Sequence, residues 1–137
     1  MRIVVTRPQR SGERTAAKLE ALGHAPVLLP LFYPAHHGER AVSALSAPLA
    51  AIAVTSAEAL RALETSRDGL APYLSKPLFA VGGATAEAAE KTGFERIFTA
   101  SGDAVSLTAL VTEHRTMFSE EEPLLYLAGR PRGAVFE

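Results

Sequence analysis

The sequence predicts an α/β fold: an open parallel sheet with helices on both faces. Three observations predict it. Short β-branched or aromatic runs alternate with helical patterns, the turns after those runs carry small, hydroxyl or basic residues, and glycines stand where helices should stop. With 137 residues, 47% of them hydrophobic, the chain can bury a core as one domain or two small ones.

Strands are expected near 2–6, 26–32, 51–55, 78–81, 96–99 and 124–128. Between the first two, a helix over about 11–22 places Ala16, Leu19 and Leu22 on one face and stops at Gly23, the residue type that best takes a left-handed C-terminal cap. Pro34-Ala35-His36-His37-Gly38 reads as an interdomain linker. Thr55 followed three residues later by Glu58 is a capping-box pattern that opens a helix bearing Leu60 and Leu63. Residues 79–93 read as a buried strand that breaks on Gly82 and Gly83 into a short alanine-rich helix closed by Gly93. Asp103 is placed to cap a further helix with Leu107, Leu110, Val111 and His114 at helical spacing. Glu120-Glu121-Glu122-Pro123 looks like a solvated turn before the last strand.

Composition narrows the function. A formal net charge of −1 and the lack of a long basic run argue against nucleic acid or a membrane surface as the main partner. No cysteine means no disulfide framework, no thiolate metal site and no thiol nucleophile, which fits a reducing cytoplasm. Met1-Arg2-Ile3-Val4-Val5 is too short and too soon interrupted for a signal peptide. The phosphate-loop, dinucleotide, esterase and zinc-protease motifs are all missing. Adjacent His36 and His37 cannot share a helix face, which favours a loop role over a metal role, and the dipole of a helix C-terminus accounts for His114. No metal site is expected.

Eleven of the fourteen basic residues are Arg, and Arg2, Arg7, Arg10 and Arg14 crowd the first fourteen positions. Arg presents a planar fork that matches carboxylate and phosphate. In open α/β sheets ligands sit outside the carboxyl ends of the strands, and the first amides of a helix have no internal partners. Val5-Thr6-Arg7-Pro8, Val54-Thr55-Ser56-Ala57, Gly82-Gly83-Ala84-Thr85, Thr99-Ala100-Ser101-Gly102-Asp103 and Leu127-Ala128-Gly129-Arg130 are therefore candidate anion contacts. Each has a purely structural alternative. A tight turn alone demands glycine, Thr55-Ser56 serves as a helix cap, Arg7-Pro8 decorates a surface, and Gly129-Arg130-Pro131-Arg132 begins a tail.

The ordered set Val5-Thr6-Arg7-Pro8, Leu29-Pro30-Leu31, Val54-Thr55-Ser56-Ala57-Glu58-Ala59-Leu60, Val81-Gly82-Gly83-Ala84-Thr85-Ala86, Ser101-Gly102-Asp103-Ala104 with Leu107, and Leu125-Tyr126-Leu127-Ala128-Gly129 resembles the uroporphyrinogen-III synthase family from Arg2 to about Arg132. The resemblance implies flavodoxin-like lobes and a cofactor-free lyase of tetrapyrrole and haem biosynthesis. Such an enzyme closes hydroxymethylbilane, which carries eight carboxylates, into uroporphyrinogen III with loss of water and inversion of the last pyrrole ring. It works by holding a flexible polyanion so that the disfavoured carbon is the nearer one, and by stabilising developing charge. Carried over by position, Thr6, Arg7, Thr55, Ser56, Gly82, Gly83, Ala84, Thr85 and Gly102 are the implied substrate contacts, with no single residue marked as catalytic.

Members of that family are far longer and fold as two lobes joined by two strands. Against that pattern, residues 1–34 are the opening strand-helix-strand of an incomplete first lobe, and 35–137 are most of the second. The return half is missing, and Tyr126, inside a strand, does not match the family's cleft tyrosine. The expectations are a truncated chain, synthase activity that is weak or absent alone, and a first segment covered by docking on the chain's own second-lobe sheet, by a segment swap or by self-association. A non-catalytic flavodoxin-like module gripping an anion at Gly82-Gly83 is the competing reading. A receiver-like signalling domain is disfavoured, because no acidic pair follows the first strand.

Overall fold

A strand buried at every position needs cover on both faces, and its sequence then loses the polar alternation of a half-exposed strand. Ala51–Val54 and Pro77–Ala80 are such segments. A computed structural model, which describes residues 1–45, 48–119 and 121–129, places them at the centre of a parallel sheet. Chain contacts divide the molecule into two units, Met1–Ala35 and His36–Glu137.

The first unit holds β1 (Arg2–Val5), α1 (Gln9–Ala21) and β2 (Ala25–Leu28). The strands pair in parallel with Val4 opposite Val27 and Val5 opposite Leu28. Helix α1 lies against Val5 and Leu28 through the buried Gly12, where a Cβ would come 3.2 Å from Leu28 Cδ2. It ends as expected, with Gly23 at φ +78. The strand expected over 26–32 stops at Leu28. Beyond it the backbone stays tied, Leu29 N–H to the Val5 carbonyl at 2.9 Å and Leu31 N–H to that of Thr6 at 3.3 Å, but Pro30 has no N–H with which to extend a ladder.

The second unit runs α2 (Gly38–Leu45), β3 (Ala51–Val54), α3 (Ala57–Glu64), β4 (Pro77–Ala80), α4 (Gly83–Thr92), β5 (Arg96–Thr99), α5 (Ala104–Glu113) and β6 (Leu124–Leu127), with short 3-10 turns at Arg67–Gly69, Ala71–Tyr73 and Arg115–Met117. Helix α2 was not expected from the sequence. The sheet order is β5-β4-β3-β6, every pair parallel. One face, with Ile52, Val54, Leu78, Ala80 and Leu127, packs under Leu45, Leu60, Leu63, Ala86 and Ala89 of α2, α3 and α4. On the opposite face Ala51, Ala53 and Phe79 pack against Leu107 of α5 with Phe98, Phe118 and Tyr126 around them. The expected helix-covered parallel sheet is thus present in this unit.

Three details differ from the sequence reading or refine it. Ser56, not Thr55, caps α3: its backbone is extended and its hydroxyl accepts from Glu58 N–H at 3.2 Å. Asp103 does cap α5, and Ser106 closes a reciprocal capping box. His114 Nδ1 donates to the Leu110 carbonyl at 2.9 Å, and its ring lies 4.5 Å from that of Phe98, so it belongs to the aromatic core beside the helix end. Glu120, Arg130, Pro131 and Arg132, named above in two turns, lie outside the described residues.

Candidate functional site at the carboxyl edge of the second-unit sheet

Because all four strands of the second unit are parallel, their carboxyl ends share one edge. The register aligns Thr99, Ala80, Val54 and Leu127 across it. The turns at 100–103, 81–83, 55–56 and 128–129 therefore follow one another along that edge. Val81 N–H donates to the Val54 carbonyl at 3.0 Å, tying the β3 and β4 turns together.

The β4–α4 turn is the most open to a ligand. In the first turn of α4, Thr85 and Ala86 N–H groups return to the Gly82 carbonyl, both at 3.0 Å, whereas Gly83 and Ala84 N–H groups meet no acceptor among the described residues. Thr85 is 4% exposed and its hydroxyl has no partner among those residues. Its oxygen still reaches solvent, since the only polar side-chain atom found both buried and unpartnered among the described residues is His24 Nδ1. Two unpartnered amides and a hydroxyl in the first turn of a helix are donors of the kind that an anionic oxygen can use, at the positive end of the helix dipole.

The two glycines of this turn have different reasons to be there. A Cβ on Gly82 would lie 3.3 Å from Gly102 Cα, so a side chain there would require the two turns to give by a few tenths of an ångström. Gly102 itself takes φ +119, which favours glycine. A Cβ on Gly83 would meet nothing within 4 Å. No neighbour among the described residues requires that position to be bare.

On the neighbouring strand, Thr55 Oγ1 lies 3.2 Å from the Tyr126 hydroxyl. The edge also carries two carboxylates, each engaged. Glu58 accepts from His36 Nε2 at 2.8 Å and from Arg61. Asp103 is held below the ordinary carboxylate range, first by the Ser106 N–H and then by the Ser106 hydroxyl. The α5 start is thus internally capped and negatively charged, which concentrates anion capacity at α4.

The structure brings together Thr55, Ser56, Gly82, Gly83, Ala84, Thr85 and Gly102 along this edge. Thr6 and Arg7 lie in the first unit at the end of β1, both exposed, with Arg7 Nη1 donating to Thr15 Oγ1 at 3.1 Å. Sequence reasoning missed the contact of Tyr126 with Thr55, and its only sequence signal was the alternation that puts every second strand residue on one face. Among the described residues no group of three or more His, Cys, Asp or Glu could hold a metal ion, and no helix is long and apolar enough to cross a membrane.

A family model described as "Uroporphyrinogen-III synthase HemD" matches residues 13–136. Two solved structures of uroporphyrinogen III synthase from the extreme thermophile Thermus thermophilus share the fold. The wild type matches with a TM-score of 0.58 at 20% identity, over 100% of this chain and 55% of the other. A mutant crystallised in another form matches with a TM-score of 0.53 at 19% identity, over 93% and 60%. At that identity the likeness is one of fold, and the chain spans little more than half the length of these proteins. No curated protein sequence matches the chain significantly.

Proposed function

From the premise that the chain belongs to the uroporphyrinogen-III synthase family, we propose that its strand-end turns bind the carboxylates of hydroxymethylbilane, as part of the lyase that closes this linear tetrapyrrole with inversion of its last ring. The observation that carries the proposal is the β4–α4 turn, with two N–H groups and the Thr85 hydroxyl unpartnered among the described residues, beside the hydroxyl-bearing end of β3. Each hydrogen bond from such donors to a carboxylate contributes about 1.5–3 kcal/mol, and a substrate with eight carboxylates can use several at once. Gly83, Ala84 and Thr85 are the proposed anion cradle, Gly82 and Gly102 shape it, and Thr55 and Ser56 add hydroxyls. Thr6 and Arg7 are proposed contacts in the first unit, where the Arg7 fork suits a carboxylate.

Binding of this kind performs the chemistry by position. Ring closure without inversion needs only water, so the enzyme must hold the chain with the substituted pyrrole carbon in reach and stabilise charge as hydroxide departs. The Ser56 hydroxyl accepts from Glu58 N–H and keeps its own proton, and the Thr85 hydroxyl is uncommitted among the described residues, so either can donate toward the departing oxygen. We place this reaction in the cytoplasm, with no nucleic acid or membrane as partner. The apolar residues Val4, Leu31, Phe32 and Tyr33, exposed at 57–79%, support self-association through the first unit.

Calorimetric titration with uroporphyrin, the air-stable octacarboxylate of this series, against ATP tests the reading. Preference for uroporphyrin supports it. Preference for the nucleotide would replace it with a phosphate-binding module.

A further inference from the structure

The order β5-β4-β3-β6 reverses at β3: the chain steps outward through β4 and β5, then returns to lay β6 on the other side of β3. The crevice outside the carboxyl ends of β3 and β6 is a topological switch point, where open α/β sheets receive ligands. Tyr126 sits opposite Ala53 in that pair, on the sheet face that also carries Ala51 and Phe79. Alternation directs Thr55, two residues beyond Ala53, to the same face, and the two hydroxyls meet at 3.2 Å. Helix α5 packs on β4 and β5.

We propose that Tyr126 is a positioning residue for the anion site, its phenol fixing the hydroxyl of Thr55 at the mouth of the β3/β6 crevice. This rests on the proposed function above. A threonine side chain is stiff at χ1, and rotation by one rotamer exchanges its methyl and hydroxyl. The phenol across the crevice selects the hydroxyl over the methyl at that spot. Either hydroxyl can donate in this contact; we assign the donor to the phenol, the more acidic of the two, an arrangement that leaves the Thr55 proton for a carboxylate oxygen. The β4 cradle is one strand away, joined through the Val81–Val54 bond, so one polyanionic ligand can reach both.

The experiment is a double-substitution cycle read by uroporphyrin fluorescence on the full chain, with Tyr126→Phe, Thr55→Val, both together, and Thr55→Ser as the conservative variant. Melting curves are recorded for each. The expected result is that Tyr126→Phe weakens uroporphyrin binding about five-fold, the worth of one neutral hydrogen bond. It should do so in the wild-type and Thr55→Ser backgrounds and have no further effect once Thr55 is Val. A purely structural tyrosine would lower the melting temperature and affect binding equally in every background. That pattern, or unchanged binding by Tyr126→Phe, overturns the inference while leaving the anion site standing. Failure of the unsubstituted chain to bind uroporphyrin overturns the anion site itself, and the inference with it.

Discussion

Gly82 and Gly83 are adjacent, yet substitution separates them. Ala at 83 fills open space at the first position of a helix and gains helix propensity of up to about 1 kcal/mol. Gly83→Ala should therefore melt no lower than wild type while binding uroporphyrin more weakly, since its methyl projects where a ligand would approach. A protein that gains stability and keeps its affinity would show that Gly83 touches no ligand. Ser56→Ala should lower stability by about 1 kcal/mol, measured by urea unfolding, through loss of the α3 cap. The sequence pointed to Thr55 for that cap because the capping-box spacing fits it, whereas the β3 ladder ends at Val54 and the extended backbone falls at Ser56. The Asp103 cap was legible, because an acidic residue just before an apolar helical pattern marks an N-cap, whereas the reciprocal bond from Ser106 was not. Its lowered pKa fixes the sign of a pH effect. The folded state binds the proton less tightly than the unfolded one, so the stabilisation is present above the ordinary aspartate value of 3.8 and is lost as pH falls through the lower native value. The gap in melting temperature between wild type and Asp103→Ala should accordingly be full at neutral pH and close in strong acid.

Helix α2 was illegible because it is only eight residues long and its pattern, Ala41, Val42 and Leu45, spans barely two turns. What fixes it is tertiary. Gly38 is buried against α3, where a Cβ would collide with Thr65 Oγ1 and come 2.5 Å from the Ala62 carbonyl oxygen. Gly38→Ala should cost about 1–3 kcal/mol in denaturant unfolding, the range for overpacking a filled contact. A neutral effect would mean that α2 does not dock on α3 in this way. The strands were readable for the opposite reason. Ala51–Val54, Pro77–Ala80 and Leu124–Leu127 are continuous apolar runs bounded by turn residues, which fits strands with cover on both faces. Strand β2 was overdrawn by four residues, β1, β3 and β6 by one each. The apolar pattern through Leu29, Leu31 and Phe32 is real, but those side chains are exposed and Pro30 interrupts the ladder.

At the scale of the molecule, the composition of the sheet edge was legible, since small and hydroxyl residues after strands mark it, but which turns are neighbours was not. Adjacency depends on strand order, and no local pattern says that β6 returns beside β3. The chain also spans little more than half the length of the synthases it resembles in fold. If the inverting reaction needs more of the substrate enclosed than these units supply, a cyclisation assay on this chain alone should yield mostly the uninverted product that forms in water. Predominant inversion at ordinary enzyme levels would show that these turns suffice.

The most direct measurement is amide chemical-shift mapping of the isotopically labelled chain during titration with uroporphyrin. Shifts concentrated at Thr55, Ser56 and 82–85, with Lys76, Glu95 and Ala50 at the opposite ends of the strands unmoved, are the predicted result. Shifts confined to that opposite edge, or spread evenly over the chain, would contradict the assignment of the carboxyl edge as the binding site.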